Sequence, residues 1–124
     1  MGGGLYPSDP IAAAMSEAFV KRLVDAVAPL PRPASTKWPE GEPYDCFLNQ
    51  PGAQILIFAP RGTDHQTEHN RDEAYICVKG RATLEIDGQP QPFGAGDLAW
   101  VPKNVPHRFI DMTDDFTTWV AFFG

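Results

Sequence analysis

The spacing of apolar residues changes along the chain at about residue 43. Before that point, four apolar residues recur every four positions: Met15, Phe19, Leu23 and Val27. This spacing predicts one amphipathic α-helix of about five turns, with Asp9 as its N-cap and Pro10 at its first helical position. Pro29 and the two prolines that soon follow it prevent the helix from continuing.

From residue 43 onward, short runs rich in β-branched and aromatic residues alternate with turn residues. Seven runs are predicted strands: YDCFLN, QILIFAP, EAYICVKG, ATLEID, DLAWVP, HRFID and FTTWVAFF. The segments between them, including DGQPQPFGAG, are rich in Gly, Pro, Asn and Asp and predict turns. At least seven strands at this spacing are typical of an antiparallel sandwich or barrel. We therefore expect an all-β domain over residues 35–124, preceded by a tail, helix and proline-rich linker over residues 1–34.

The charge balance narrows the classes of partner. Ten Lys and Arg face sixteen Asp and Glu, so the net charge is −6, and no basic stripe indicates a nucleic-acid partner. No apolar run is long enough for a membrane span, and the first residues lack the pattern of a signal peptide. Cys46 and Cys77 lie far apart and form no CxxC pair, which favours two reduced thiols in a cytoplasmic protein over a disulfide or a zinc site.

The candidate chemistry begins where one predicted strand starts. Glu73 opens the apolar run Ala74–Val78, and His69 precedes it by four residues. Because a buried carboxylate is costly without a partner, the sequence predicts that something compensates the charge of Glu73. Period-two alternation puts Tyr75 and Cys77 on the same face as Glu73, with core packing the expectation for Cys77.

The run HNRDEAYICVKG resembles the first motif of the cupin family. In that motif His-x-His is followed by three or four residues, a Glu, six residues and a Gly. Here His69, three residues, Glu73, six residues and Gly80 have the same spacing.

The run GDLAWVPKNVPH resembles the second cupin motif. Gly96 and Asp97 lead to Pro102, and His107 follows five residues later. The two motifs occur in the family's usual order, and the resemblance covers roughly residues 55–123. It implies a double-stranded β-helix (jelly-roll) cupin barrel, to which the N-terminal amphipathic helix is appended.

Two positions depart from the family pattern. Thr67 stands where the first motif has its first histidine, so three of the family's usual four protein ligands remain. Asn104 replaces a glycine in the turn of the second motif, and asparagine tolerates left-handed backbone better than most residues. His65 lies two residues before Thr67, about 6–7 Å away along an extended chain, so we expect a solvated loop residue rather than a ligand.

The resemblance implies a metal site formed by His69, Glu73 and His107. Two imidazoles and one carboxylate suit Fe(II), Mn, Ni, Zn or Co, and leave coordination positions open. Such a cation would compensate the charge of Glu73. Tyr75 is a candidate for proton transfer. A surface His69–Glu73 pair, with His107 as a polar residue at the barrel mouth, is the alternative without metal.

Three functions are compatible with these residues. The first is a metal-dependent enzyme for a small organic molecule, of dioxygenase, isomerase or lyase type. The second is a non-catalytic module that senses a small ligand or metal, and the third is a barrel that has lost its metal. Small cupins commonly pair, so we expect a homodimer. The basic residues near the motifs are Arg61, Lys79 and Arg108, and each is expected to be solvated rather than to face an anionic ligand.

Overall fold

This computed structural model describes residues 17–124, which contain eight strands and one short helix. The helix is α1 (Leu23–Val27). The strands are β1 (Tyr44–Gln50), β2 (Ala53–Phe58), β3 (Asp72–Lys79), β4 (Arg81–Ile86), β5 (Gln89–Gly94), β6 (Leu98–Val101), β7 (His107–Ile110) and β8 (Thr117–Phe123). No helix in this range is both long and apolar enough to cross a membrane.

The strands form two antiparallel sheets that enclose the core. One sheet has five strands in the order β1-β2-β8-β3-β6, and the other has three in the order β5-β4-β7. Aromatic rings pack between the two sheets. The ring centroid of Phe109 on β7 lies 5.0 Å from that of Tyr75 on β3 and 6.2 Å from that of Phe58 on β2. The predicted jelly-roll barrel with an N-terminal helix is confirmed.

The helix is shorter than its sequence pattern predicts. Residues 17–22 are not helical, and Phe19, Val20 and Val24 are exposed rather than packed. Only Ala26 of α1 is buried. Because most helical stability in proteins comes from packing an apolar face, this unpacked stripe does not hold five turns together. The predicted N-cap, Asp9, lies outside the described residues.

Strand β5 was predicted as a turn because it contains Pro90 and Pro92. Within residues 17–124 it pairs with β4 alone and forms the edge of its sheet. Proline cannot donate to a strand ladder, and at an edge that missing donor can face solvent without loss. The edge position therefore allows these residues to form a strand, and composition alone does not predict that strand.

The inward face of β3 carries the predicted alternation. Glu73, Tyr75 and Cys77 are buried, whereas Ile76 between them is exposed. Cys77 belongs to the core and is a free thiol, as is the exposed Cys46. By contrast, Trp100 is exposed on the outer face of the five-stranded sheet.

Candidate metal centre

Three predicted ligands come together inside the barrel although they lie on separate segments. Glu73 projects from the inward face of β3, His69 precedes that strand, and His107 opens β7 in the opposite sheet. One potential ligand atom from each residue lies within 4.8 Å of the other two. The side chains can therefore surround a single cation.

His107 is held in a defined orientation. Its side chain is only 1% exposed, and its Nδ1 lies 2.8 Å from the carbonyl oxygen of Val105. This contact makes Nδ1 the donor, so in the neutral ring Nε2 carries a free lone pair. Nε2 faces Glu73 Oε1 at 3.1 Å and the Tyr75 hydroxyl at 3.0 Å. A backbone carbonyl that fixes the tautomer in this way is typical of histidines that bind metals.

Oxygen Oε1 of Glu73 is buried and has no hydrogen-bond partner among residues 17–124. It faces Nε2 of His107 at 3.1 Å and Nε2 of His69 at 3.6 Å. A proton on Nε2 of His107 would form its hydrogen bond with the other oxygen, Oε2, at 3.2 Å. Oε1 would then still have no donor. A buried carboxylate oxygen among imidazole nitrogens is costly unless a positive charge beside it compensates it. The residues present therefore fit a divalent metal ion.

His69 is held more loosely than His107. Its side chain is 29% exposed, and its ring lies edge-on to Phe122 at 4.9 Å. The main contact that fixes its position comes from the second motif, where the backbone N–H of Asn104 donates to the His69 carbonyl at 2.7 Å. Burial lowers the pKa of His69, and although Glu73 raises it, His107 and the nearby cations lower it further.

The hydroxyl of Tyr75 connects Glu73 and His107, the two buried candidate ligands. It lies 2.9 Å from Glu73 Oε2, 3.0 Å from His107 Nε2 and 3.2 Å from the amide oxygen of Gln66. Its single proton can be given to only one of these acceptors at a time. Burial and the carboxylate of Glu73 raise the pKa of Tyr75 well above its usual value. The hydroxyl is therefore neutral and donates a hydrogen bond.

Two further residues, Asp64 and Gln66, belong to this network and were not found from the sequence. Asp64 is buried, and its carboxylate accepts the backbone N–H of Phe109 at 2.8 Å. The same carboxylate accepts the side-chain amide of Gln66, whose own oxygen then faces Tyr75. Their neighbours in the sequence carry no periodic pattern, so only the path of the loop reveals their role.

A cavity of about 230 Å³ opens beside His69 and Tyr75. Its walls are mainly apolar, formed among others by Trp38, Tyr44, Leu56, Phe58, Val120 and Phe122. Two basic residues, Lys37 and Arg71, also line it. Neither is among the basic residues that the sequence singled out.

Those three residues lie elsewhere. Arg61 donates to the carbonyl oxygen of Phe116, Arg108 pairs with Glu85, and Lys79 is exposed. None of them lines the cavity beside His69.

Comparison with known proteins identifies the family. The family model of the cupin domain matches residues 54–123, more than half of the chain. The chain belongs to the cupin family. Its fold and the order of its two motifs agree with this membership.

Individual relatives are more distant. This cupin is 33% identical over 81 residues to an uncharacterized protein of Streptomyces coelicolor, which covers 64% of this chain and 77% of the relative. A Cupin 2 conserved barrel domain protein of Salinispora arenicola has a TM-score of 0.58 at 24% identity, covering 65% of this chain and 74% of its own. The DMSP lyase DddQ of Ruegeria pomeroyi has a TM-score of 0.56 at 20% identity, covering 67% and 48%. At these identities the solved structures establish the fold alone.

The departures from the cupin motifs have structural consequences. Thr67 is exposed and accepts a hydrogen bond from Lys37 at 3.3 Å, so it lies outside the ligand cluster. Asn104 has a φ of 65°, which confirms the left-handed turn expected for it. His65 is not in the cluster, as expected, but it is half-buried: its ring lies 5.2 Å from that of Trp38 and 3.0 Å from a carboxylate oxygen of Glu40.

Proposed function

We propose that this cupin binds one divalent metal ion through His69, Glu73 and His107 and acts on a small organic molecule in the adjacent cavity. The observation that carries the proposal is the buried oxygen Oε1 of Glu73, which faces two imidazole nitrogens and lacks a hydrogen-bond partner in the described part of the chain. Fe, Mn, Ni, Zn and Co are all compatible with nitrogen and oxygen ligands.

The chain's own residues supply binding, orientation and proton transfer. Tyr75 would hold or deliver a proton at its hydroxyl, because this group is neutral and hydrogen-bonded to Glu73. The apolar walls would exclude water from a bound molecule. When bound, the metal would act as a Lewis acid or a redox centre. We propose a dioxygenase-type or isomerase- or lyase-type enzyme, and one of the compared structures, that of a lyase, supports an enzyme on this fold.

Metal content tests the first part of the proposal. We expect stoichiometric metal in the protein purified without added metal, and its loss in the variants His69→Ala and His107→Ala. His65→Ala is the matched control, because it removes the third histidine of the chain, which lies outside the ligand cluster. Elemental analysis of the four proteins gives the answer. Absence of metal from the parent protein after exposure to all five metals would contradict the proposal.

A non-catalytic binding module is the second candidate. It is favoured by Thr67, which is exposed and bonded to Lys37, so that the cluster has three ligands instead of the family's four. The variant Tyr75→Phe separates the two functions. In an enzyme we expect turnover to fall roughly 10²-fold while metal content is kept, as for loss of a proton donor. Catechols, diketones and keto-sugars are the first substrates to try. A metal-loaded protein that binds such molecules but turns over none would favour the binding module.

We also propose a homodimer in the cytoplasm. Four exposed apolar residues support the dimer, since they share the outer face of the five-stranded sheet near its edge strand β6: Ile76, Leu98, Trp100 and Phe123. The two free thiols support the location. In analytical ultracentrifugation we expect a dimer that Leu98→Lys converts to monomer and that Val24→Lys, an equally exposed change elsewhere, leaves intact. A monomeric parent protein would contradict the dimer.

A further inference from the structure

We propose that the cavity beside His69 binds a small organic carboxylate, whose apolar body lies against the aromatic wall and whose carboxylate contacts Arg71 and Lys37. This inference names the substrate class of the proposed site, so it rests on the proposed function. It is carried by the charges and contacts of the cavity itself.

The charge of the cavity is opposite to that of the chain. Acidic residues outnumber basic ones sixteen to ten in the whole sequence. Yet the charged side chains that line this cavity, within residues 17–124, are the two cations Lys37 and Arg71, with no carboxylate among them. A cation pair in a largely apolar cavity raises the local concentration of anions.

Arg71 is held in place by neutral groups. Its Nη2 donates to the amide oxygen of Gln54 at 2.9 Å, and its guanidinium carbon lies 4.5 Å above the centre of the Phe122 ring. Within the described part of the chain, no carboxylate lies within salt-bridge distance of this guanidinium, and most of its five N–H donors have no acceptor there. A planar fork of this kind matches a carboxylate in two parallel hydrogen bonds.

Phe122 connects Arg71 to the metal ligands. The His69 ring packs edge-on against the same phenyl ring, with a centroid distance of 4.9 Å. Arg71 and His69 are therefore neighbours on one aromatic side chain. A ligand anchored at Arg71 would extend towards His69 and Tyr75, which line the same cavity.

Lys37 supplies the second positive charge at the exposed side of the cavity. Its hydrogen-bond partner in residues 17–124 is the hydroxyl of Thr67 at 3.3 Å, a neutral group. This contact gives Thr67 a role, because the residue that replaces the family's histidine instead orients a cation at the cavity. A flexible, solvated ammonium contributes less to anion binding than a fixed guanidinium.

The shape and lining of the cavity limit the rest of the ligand. At about 230 Å³ the cavity is smaller than the roughly 300–1,000 Å³ of sites for drug-sized molecules. Its rings include Trp38, Tyr44 and Phe58, which favour a flat or aliphatic body. Because solvent screens the charge of the exposed Lys37, the cavity offers one fixed cation, Arg71, which matches a singly charged carboxylate better than a doubly charged phosphate ester.

Calorimetric titration of the full chain tests this inference. The probes are benzoate, hexanoate, the neutral isostere benzamide, and phenyl phosphate, each added to metal-loaded and to EDTA-treated protein of measured metal content. We expect a carboxylate to bind more tightly than benzamide in both preparations, and to weaken as salt is added. Binding in the EDTA-treated protein excludes simple coordination of the carboxylate to the metal.

Variants assign the binding to the two cations. We expect Arg71→Gln to weaken carboxylate binding roughly tenfold, as for loss of a hydrogen bond to a charged group, and Lys37→Gln about threefold. Arg71→Lys keeps the positive charge but lacks the planar guanidinium, so its carboxylate affinity should lie between those of the parent protein and Arg71→Gln. Lys79→Gln, an exposed lysine that does not line the cavity, is the control and should bind as the parent does. Equal melting temperatures check that the variants fold.

The outcomes separate this inference from the proposed function. Benzamide binding as tightly as benzoate, no binding of either carboxylate, or unchanged binding by Arg71→Gln would overturn the inference while a metal-loaded protein keeps the proposed function. Tighter binding of phenyl phosphate than of benzoate would overturn the choice of a carboxylate. Selective carboxylate binding by a protein that takes up no metal would remove the proposed function and leave the inference standing.

Discussion

The site has a buried end, formed by Glu73, Tyr75 and His107, and an open end, formed by His69, Arg71 and the cavity. Side chains of Glu73 and His107 are each 1% exposed, whereas that of His69 is 29% exposed. At the buried end Glu73 accepts a hydrogen bond from Tyr75, and His107 donates one to the Val105 carbonyl, so both side chains are oriented before anything binds. At the open end the cations have neutral partners, and an added ligand can change their contacts.

This difference separates two kinds of role. The buried end has the rigid geometry that a metal site requires, because its ligands are oriented by groups behind them. The open end has the adaptable contacts and positive charge that recognise a small molecule. Substitutions of Glu73 and His107 should therefore act on metal binding and those of Arg71 on ligand binding, whereas His69, which belongs to both the ligand cluster and the cavity, should affect both.

The largest expected effect is that of Glu73→Gln. The loss of an outer partner of a metal ligand costs roughly 10–100-fold in affinity, and the loss of this ligand should cost more. Above the raised pKa of His107, where its ring is neutral, the stability of the metal-free protein should instead increase. The amide can donate to the free Nε2 of His107 and still accept from Tyr75, which would stabilise it by about 1 kcal/mol. Metal titration and urea unfolding in EDTA measure the two effects.

Glu85→Gln is the control for this substitution, because Glu85 lies on β4 outside the ligand cluster. It should change the metal affinity and the stability of the metal-free protein by no more than a few tenths of a kcal/mol, since its pair with Arg108 is partly exposed. A metal affinity that survives in Glu73→Gln would show that the buried end is a structural hydrogen-bond network and not a metal site.

A smaller difference is expected between the two histidines. His107→Gln should lower metal affinity more than His69→Gln, by roughly tenfold, because only His107 has a ring nitrogen fixed by a backbone carbonyl. Within residues 17–124, no hydrogen bond holds the His69 ring. This ring is therefore less preorganised for metal binding, and its removal should cost less affinity. Competition with a metal-binding dye measures both affinities. Equal losses would remove the distinction between the buried and the open end.

The sequence predicted the buried end far better than the open end. Glu73, Tyr75 and Cys77 follow the period of two that any half-buried strand obeys, and the motif spacing joined His107 to them. These residues lie on or beside regular strands, where position in the sequence determines direction in space.

The open end depends on loops, for which no such rule exists. Lys37 and Arg71 reach the cavity because the segments before β1 and β3 approach each other, and neither segment has a periodic pattern. Arg71 stands inside the first motif, so its presence near the site could have been noticed. Its direction could not, because the motif constrains the ligands and not the residues between them.

The pH dependence of stability gives the next prediction. Burial lowers the pKa of His107, but hydrogen bonds to Glu73 and Val105 outweigh it and raise the pKa above the usual 6.5. The stability that this group adds to the metal-free protein is full below pH 6.5 and is lost as pH rises through the raised pKa. The lowered pKa of His69 acts only below 6.5, so the two effects occupy different pH ranges.

Unfolding in EDTA between pH 6.5 and 9 checks this expectation. The difference in stability between the parent protein and His107→Gln should shrink as pH rises. His69→Gln should differ from the parent by a constant amount over this range. Bound metal should abolish the pH dependence of the parent, because the metal replaces the proton. A constant difference for His107→Gln would mean that the buried end does not favour the charged ring.

The smallest expected effect concerns Asn104, which ties the second motif to His69. Its φ of 65° costs most residues about 1–2 kcal/mol, while glycine adopts it freely and asparagine with less strain. Asn104→Gly should therefore be close to neutral, and Asn104→Val should destabilise by about 1 kcal/mol. Since the Asn104 N–H donates to the His69 carbonyl, the strain in Asn104→Val should also weaken metal binding slightly, through His69 alone. Combining Asn104→Val with His69→Gln tests this coupling. If the double variant loses no more metal affinity than His69→Gln alone, the turn acts through His69. Additive losses would instead show that the strain reaches the buried end.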